Sequence, residues 1–326
     1  MSRITDRPLY SQSSKELPDF LITSSIVMAI GDSTEERSGL MQSMHGRLAE
    51  SFWVLRETNN LNQAESSFKG KTETLNLRDP DQLSELIRRV GGSALDVDLT
   101  SLPAHIWAPI VRACLDVGII TRSLYVEPQD YVRSPTPGIG SLYDLSERVI
   151  GIQPIPGFAA LRSIDDEESL LIPLVGFEGA RLSYLIDQLE PKMDTIFPII
   201  GVPGFKKDYP FNTYLGNQVP LEDTRAWRNA SYSRANCPFS AYYSIEKIAA
   251  QRPGHHLRIA PIGTKPHCLG AILYNIDNPD SSEIVYDHPR RSKSRTSGIS
   301  RVSLFDISEF RRDAIELRSL EREAST

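Results

Sequence analysis

Short apolar runs alternate with amphipathic helical patterns along most of this chain, and this alternation limits the folds that it can adopt. Residues 21–30 (LITSSIVMAI) are rich in β-branched residues, carry no charge and stop at Gly31, as a buried strand does. Asp79 and Pro80 suit the start of a helix, and apolar side chains then recur at helical spacing over 83–90. Because strands that alternate with helices usually form a parallel sheet covered by helices, the sequence predicts an α/β protein.

The same two patterns predict the remaining elements. Strands are predicted over 52–56, 94–99, 119–126, 170–175, 195–200, 257–262 and 283–286. Helices are predicted from about residue 34 and over 79–90, 103–117, 182–189, 239–250 and 266–275, with a charged amphipathic helix from 308.

One order of features occurs twice in the chain. The segments 98–115 (DLTSLPAHIWAPIVRACL) and 260–275 (APIGTKPHCLGAILYN) each give a strand end, a threonine-containing turn, then a proline and a histidine, and an apolar helix. Each then leads into a strand that ends in a tyrosine near a proline, at Tyr125 and Tyr286. This recurrence predicts two tandem Rossmann-like halves, each a mainly parallel sheet flanked by helices. The alternative is one large doubly wound sheet, because all βα units share this pattern.

The predicted domain boundaries follow from composition. Residues 1–134 form the N-terminal half and residues 169–326 the C-terminal half with its terminal helix. Between them, 135–168 is rich in proline and glycine, which predicts a connector with one short helix over 142–149.

Charge and cysteine content exclude several classes of protein. The 326 residues carry 36 Lys+Arg against 42 Asp+Glu, a formal net charge of −6, so a contact with nucleotides or nucleic acid requires a local patch. Cys114, Cys237 and Cys268 are too far apart in sequence for a disulfide framework or a metal clip, which fits a reducing cytoplasm. Neither a signal peptide nor a membrane span is predicted, and no metal or cofactor.

The turn Gly263-Thr264-Lys265, followed by Pro266 and His267, has the strongest chemical signal. A glycine between a strand and a helix lets backbone N–H groups face a ligand, and the helix start adds partial positive charge. We expect a hydroxyl donor at Thr264, a cation at Lys265 and a further donor at His267, a set that suits a phosphate or carboxylate of a nucleotide-like ligand. Neither a P-loop nor a GxGxxG motif occurs. The alternative is a tight turn with a surface lysine.

The corresponding turn of the first half contains Asp98, Thr100 and Ser101 and no lysine. A carboxylate with two hydroxyls suits a ribose hydroxyl or an amine better than a phosphate. The alternative is that Thr100 and Ser101 cap the helix that starts near Pro103. His105, like His267 in the second half, lies one turn into its helix and could act as an acid–base group or as a structural donor.

Four arginines are further candidates for ligand binding. Arg37 and Arg181 follow the first glycine turn of each half and could reach a bound anion, or could form surface ion pairs. Arg290 and Arg291 open the basic stretch 288–298, which is either a solvated tether or a patch that meets phosphates.

The turn Gly263-Thr264-Lys265 and the following Pro-His-x-Leu-Gly-Ala resemble the strand–GTK–helix loop of CRISPR-associated Rossmann-fold (CARF) domains. Tandem halves of this kind are similar to the SAVED sensor modules of prokaryotic antiviral systems. Ile262 stands where that family has a first glycine, and Leu99-Thr100-Ser101 of the first half lacks the lysine. The resemblance implies a Rossmann-like fold and a loop that contacts cyclic oligonucleotide messengers.

The sequence thus predicts a sensor or adaptor that recognises a nucleotide-type anion, such as a cyclic oligonucleotide, in a prokaryotic defence system. Its expected partners are that small molecule and an effector protein or complex, and association of identical chains is left open. No residue is assigned a catalytic role. The alternatives are a nucleotide-processing hydrolase that uses Asp98 or His267, and a scaffold subunit of a larger defence complex.

Overall fold

A computed structural model describes residues 10–15, 26–43, 51–138, 142–160, 169–293 and 295–323. The first five residues of the predicted strand 21–30, and the acidic residues 165–168, lie outside these ranges. Within them the protein is a mixed α/β structure with two large sheets, parallel over most of their central strands, as the alternation predicts.

The described strands, in chain order, are β1 (Ser11–Ser14), β2 (Val27–Ile30), β3 (Phe52–Glu57), β4 (Gln63–Phe68), β5 (Lys71–Asn76), β6 (Ala94–Asp98), β7 (Ile120–Tyr131), β8 (Ser146–Val149), β9 (Gln153–Pro154), β10 (Ser169–Val175), β11 (Ile199–Gly201), β12 (Ser231–Ser233), β13 (His256–Ala260), β14 (Ser282–Tyr286), β15 (Pro289–Arg291) and β16 (Thr296–Asp306). The described α-helices are α1 (Leu40–Ser43), α2 (Pro80–Val90), α3 (Ala104–Val117), α4 (Gly179–Leu189), α5 (Tyr209–Gly216), α6 (Gln218–Asp223), α7 (Pro238–Gln251), α8 (Lys265–Asp277) and α9 (Ile307–Glu323). Short 3-10 helices span Glu36–Gly39, Met193–Thr195 and Ala226–Asn229.

The chain divides into two compact units, called unit 1 (Met1–Glu127 with Ile299–Thr326) and unit 2 (Pro128–Gly298). This division differs from the predicted boundaries at both ends of the second half. Residues after 298 belong to unit 1, where Ser11 of β1 pairs with Phe305 of β16 and the Ser308 hydroxyl accepts a hydrogen bond from the Thr121 amide. These contacts join residues that are far apart in the sequence, and amino-acid composition does not predict such contacts.

The predicted connector contributes structure to unit 2. Gln153 pairs with Tyr286 at the edge of the unit 2 sheet, and the Glu178 carboxylate accepts hydrogen bonds from the amides of Leu145 and Ser146. The predicted helix over 142–149 is wrong: Ser146–Val149 is strand β8, which pairs antiparallel with β15. A segment of eight residues is too short to be a stable helix alone, so its tertiary partner decides its structure.

Unit 1 contains a sheet with the strand order β1-β16-β7-β6-β2-β3-β4-β5. Strands β7, β6, β2 and β3 are parallel, whereas β3, β4 and β5 form an antiparallel meander that the sequence analysis missed. Helix α2 is capped by the Asp79 side chain, and its apolar face is buried as the periodicity predicts.

Unit 2 contains a sheet with the order β12-β11-β10-β13-β14-β9, in which every pair except β14–β9 is parallel. All seven residues of β10 are buried, which is typical of a strand covered on both faces. The apolar core contains side chains from β10, β11, α4, α6 and β13, among them Leu171, Leu182, Leu185, Ile200 and Leu221.

The parallel strands of the two units have the same order. In unit 1 the order β7-β6-β2-β3 places the first strand between the second and the third, with the fourth beyond the third. In unit 2, β14-β13-β10-β11 repeats this order, and β12 extends the sheet beyond β11. The turns at 98–101 and 260–264 therefore follow equivalent central strands, β6 and β13.

No helix among the described residues is long and apolar enough to cross a membrane.

Candidate functional site

Gly263 lies against the carboxyl end of β10, where there is no room for a side chain. A Cβ atom at this position would come within 2.7 Å of the Val175 carbonyl oxygen and 2.9 Å of the Leu174 carbonyl oxygen. Gly176 packs against the same turn, since a Cβ atom added at Gly176 would lie 3.1 Å from the Gly263 Cα. Two backbones thus approach closely at the ends of adjacent parallel strands, which is where ligands bind in open α/β sheets.

Thr264 is the N-cap of α8. Its hydroxyl donates a 2.7 Å hydrogen bond to the Ala235 carbonyl and accepts one of 3.3 Å from the His267 amide. The threonine side chain therefore fixes the start of the helix against the loop that follows β12, and the hydroxyl predicted for a ligand has partners within the protein.

His267 is fully buried and has a structural partner. Its Nε2 lies 3.0 Å from the Arg234 carbonyl oxygen, so Nε2–H is the donor and the ring is neutral. Burial lowers the pKa of His267 to about 4, although its hydrogen bonds to backbone carbonyls act in the opposite direction. The arrangement fits the structural reading of this histidine rather than the acid–base one.

Lys265 is the first residue of α8 and is 8% exposed. Helix N-termini favour acidic side chains because their N–H groups carry partial positive charge, and yet the first turn of this 13-residue helix contains a lysine and no acid. The partial positive charge of the helix N-terminus and the charge of Lys265 thus have the same sign, and both would stabilise an anion at this end of the helix. The His267 and Cys268 amides donate to Thr264, and Pro266 has no N–H group.

The charges of two arginines from other segments affect the same part of α8. Burial raises the pKa of the Cys268 thiol to about 12, while the positive charges of Lys265, Arg291 and Arg181 act in the opposite direction. Burial also raises the pKa of Tyr286 to about 12, and the positive charges of Arg181 and Arg291 again act in the opposite direction. These three predicted site residues are distant in sequence, and the charges of all three act on the thiol of Cys268 in the first turn of α8. A neutral buried thiol is a poor nucleophile, so this cluster is suited to binding.

Arg181 is already bound within the protein. Its Nε and Nη2 each donate a 2.7 Å hydrogen bond to the buried Asp287 carboxylate, and its Nη1 donates one of 2.8 Å to the Ile262 carbonyl. Burial alone would lower the pKa of Arg181, but Asp287 raises it above its ordinary value. Arg181 is thus neither a surface ion pair nor free to reach out: it holds Ile262, the residue before the glycine turn.

Arg290 and Arg291 lie on β15 and differ in their surroundings. The Arg290 side chain is 63% exposed, with its Nε 3.9 Å from Glu147 on the partner strand β8, and Arg291 is half-buried. Arg291 is thus more buried than Arg290, and its charge, like that of Lys265, acts on the Cys268 thiol. The start of the stretch 288–298 is an ordered strand and not a tether.

The equivalent turn of unit 1 forms an internal network. Asp98 is buried and accepts hydrogen bonds from the Thr100 amide (2.8 Å) and the Ser101 hydroxyl (2.6 Å). Ser101 in turn accepts one from the Gly31 amide, and the Thr100 hydroxyl accepts one from the Val126 amide. The capping alternative is wrong, because Pro103 is the N-cap of α3 and no side chain caps it. These three side chains join β2, β6 and β7.

Arg37 is buried in unit 1 and resembles Arg181 in its role. Its Nη1 donates to the Val126 carbonyl (2.9 Å) and to the Tyr125 hydroxyl (3.2 Å), and its Nη2 pairs with Glu35 at 2.9 Å. In each unit, therefore, an arginine after the first glycine turn is bound at the fourth parallel strand: Arg37 to Tyr125 and Val126 within β7, and Arg181 to Asp287 directly after β14. His105 is buried as well, with its Nε2 3.7 Å from Glu57.

Two features near the turn were missed from the sequence. Asp287 neutralises Arg181, and its position directly after Tyr286 was the available signal. Phe177, the residue after Gly176, packs on Tyr143 (ring centroids 4.5 Å apart), with Tyr131 and Tyr209 at its edges. No group of three His, Cys, Asp or Glu side chains in the described part of the chain could hold a metal ion.

Comparison with solved structures shows a weak likeness. No protein-family model and no curated protein matches the chain. The solved structure of a type III CRISPR defence DNA nuclease activated by cyclic oligoadenylate is 13% identical, with a TM-score of 0.26. The alignment covers 78% of this chain and 44% of that protein, so the chain spans less than half of its length.

Proposed function

We propose that this protein is a ligand-binding sensor or adaptor that recognises a nucleotide-type anion at the turn 263–265 of unit 2. The observation that carries the proposal is the nearly buried Lys265 at the N-terminus of α8, beside the turn that Arg181 holds through the Ile262 carbonyl. A lysine charge at the positive end of a helix is unfavourable, and a bound phosphate would turn this repulsion into attraction.

The contacts divide the cluster into ligand-facing and supporting residues. Arg181 is committed to Asp287 and Ile262, and Thr264 and His267 to backbone carbonyls, so these residues support the turn. In the proposal, Lys265 and Arg291 contact the anion through their side-chain charges. Arg290 contributes only a more distant charge.

The proposed fold includes an internal duplication, with functional halves at 1–134 and 169–326 and a connector at 135–168. The shared strand order of the parallel cores and the equivalent placement of Arg37 and Arg181 support it. In the first half, a ligand would contact only the backbone groups of Asp98, Thr100 and Ser101. Their side chains are bound to one another and to neighbouring strands.

The ligand class and the setting rest on the resemblance of the turn 263–265 to the GTK loop of CARF domains. They lead us to propose a cyclic or linear oligonucleotide as the ligand, a cytoplasmic defence system as the setting and a separate effector protein as the partner. The hydrolase alternative has less support, because Asp98 and His267 are both buried in structural hydrogen bonds. A scaffold role remains the alternative if no nucleotide binds.

Calorimetric titration with a panel of linear and cyclic oligonucleotides tests this function. A charge-assisted hydrogen bond is worth about 1.5–3 kcal/mol, so Lys265→Ala should weaken binding by about 10- to 150-fold. Lys247→Ala, which removes an exposed lysine of α7, is the matched control and should bind as the wild type does. Absence of binding to the whole panel, or equal binding by the Lys265 variant, would reject the proposal.

A further inference from the structure

The exposed aromatic side chains of this protein are gathered in one part of unit 2. Among the described residues, those exposed aromatic side chains are Phe211 at 70%, Trp227 at 52% and Tyr232 at 57%. The other two tryptophans, Trp53 and Trp107, are fully buried. Aromatic side chains are usually buried, so a tryptophan and two further aromatic rings exposed within 22 residues of sequence are unusual. Such exposed patches mark binding surfaces.

The structure places these aromatic residues on adjoining elements. Tyr232 lies on β12, the edge strand of the unit 2 sheet, and its hydroxyl is 2.8 Å from the hydroxyl of Tyr214 on α5. Phe211 lies on the same helix, one turn before Tyr214. Trp227 is in the 3-10 helix directly before β12. Helix α5 and strand β12 thus meet at the Tyr214–Tyr232 contact, with Phe211 one turn along the helix and Trp227 just before the strand.

The charge of this segment is opposite to that of the whole protein. Residues 211–234, which include all of these aromatic residues, contain Arg225, Arg228 and Arg234 against Glu222 and Asp223, a formal net charge of +1 in a chain of net charge −6. All three arginines are exposed, and the Arg228 guanidinium lies over the Trp227 ring at 5.3 Å from its centroid. Aromatic rings interleaved with exposed arginines are the elements with which proteins bind single strands: the rings stack on bases and the cations contact phosphates.

We propose that Trp227, Tyr232, Phe211 and the arginines at 225, 228 and 234 form a binding surface for single-stranded nucleic acid, called the aromatic–arginine surface. It is distinct in residues from the turn 263–265 and does not depend on the function proposed for that turn. Duplex DNA binds less well, because its bases are already stacked and cannot lie on the rings. Three phosphate contacts predict a shallow salt dependence, with a log–log slope of about −2.

The first test is fluorescence anisotropy of the full chain with labelled oligo(dT) of about 16 nucleotides. Titrations between about 50 and 200 mM salt should give that slope. Arg228→Ala removes one phosphate contact, so the slope of this variant should be about −1.4. Arg78→Ala, at an exposed position in unit 1, is the matched control and should leave both affinity and slope unchanged.

The second test isolates stacking. Trp227→Ala should weaken oligo(dT) binding by about 5-fold or more, whereas Met193→Ala, at another exposed apolar position, should not. Unlabelled oligo(dT) should quench the tryptophan fluorescence of the wild type and not that of Trp227→Ala, since the remaining tryptophans are buried.

Three outcomes would overturn the proposal: no anisotropy change at low salt, equal loss of binding in Arg78→Ala, or duplex bound as tightly as single strand. Sedimentation that shows self-association abolished by Trp227→Ala, with no oligonucleotide binding, would assign the surface to a protein contact and would overturn it too. Lys265→Ala should retain oligo(dT) binding, which separates this proposal from the nucleotide site.

Discussion

The Arg181 guanidinium and the Asp287 carboxylate form a two-point pair, with both hydrogen bonds at 2.7 Å and the carboxylate wholly buried. The third contact of Arg181, to the Ile262 carbonyl, links this pair to the turn 263–265. The pair therefore joins the start of α4, the end of β14 and the turn after β13. Its geometry sets where Lys265 and the N-terminus of α8 lie.

Removing the carboxylate should leave a buried guanidinium that has lost both of its 2.7 Å hydrogen bonds and keeps the Glu178 carboxylate, 3.8 Å away, as a nearby acid. We expect Asp287→Ala to lower the free energy of unfolding by about 3–5 kcal/mol, measured by urea denaturation. The matched control is Glu147→Ala, which removes the acid beside the exposed Arg290 and should change that free energy by no more than about 0.5 kcal/mol. Similar losses in the two variants would contradict a special role for the buried pair.

Gly263 should tolerate no side chain, because a Cβ would meet two carbonyl oxygens of β10. Gly263→Ala should cost about 1–3 kcal/mol of unfolding free energy through overpacking, and nucleotide binding should weaken as the turn shifts. Gly138→Ala provides the comparison, since nothing lies within 4 Å of a Cβ there and its φ is not positive. Thermal denaturation of the two variants measures the difference; an unchanged Gly263→Ala would show that the turn can move away from β10.

The buried His267 should make stability depend on pH. Its pKa is about 4 in the folded protein and about 6.5 when unfolded, so the unfolded chain binds more protons between these values. Stability due to the neutral ring is therefore complete above about pH 6.5 and is lost as the pH falls towards 4, by about 3 kcal/mol.

Urea denaturation at a series of pH values checks this expectation. His267→Gln keeps a donor for the Arg234 carbonyl and cannot titrate, so its unfolding free energy should fall less steeply between pH 6.5 and 4 than that of the wild type. Equal slopes for the two proteins would mean that the ring is protonated in the fold.

Local patterns were sufficient for much of the scaffold. The helix α2 is anticipated by its Asp79-Pro80 start and its apolar spacing, and α8 by Thr264 and Pro266, because capping and periodicity act within a few residues. The buried strand β10 follows from its uncharged apolar run. At the site, the sequence predicts an anion site at Lys265 and the glycine turn, which stays a prediction, and the structure adds that Arg181 binds the carbonyl of the residue before the turn.

Other features depended on residues far apart in the chain. Ser146–Val149 became a strand because β15 pairs with it, and the C-terminal segment joined unit 1 because β16 pairs with β1. Thr100 and Ser101, which could have capped α3, instead bind Val126 and Gly31 on neighbouring strands. No local pattern distinguishes these outcomes, since the backbone N–H and C=O groups of these segments would find hydrogen-bond partners in either structure.

The sequence by itself determined that this chain is built from alternating strands and helices and that a glycine, a threonine and a lysine stand where a strand gives way to a helix. Those properties depend on residue spacing, backbone freedom and capping, all of which act over one or two turns. Only the tertiary structure decided that Arg181 serves Asp287 and Ile262, that His267 is a neutral structural donor, and that Trp227 and Tyr232 stay exposed beside arginines. Burial and charge pairing decide those roles, and both are set by which distant segments the fold brings together.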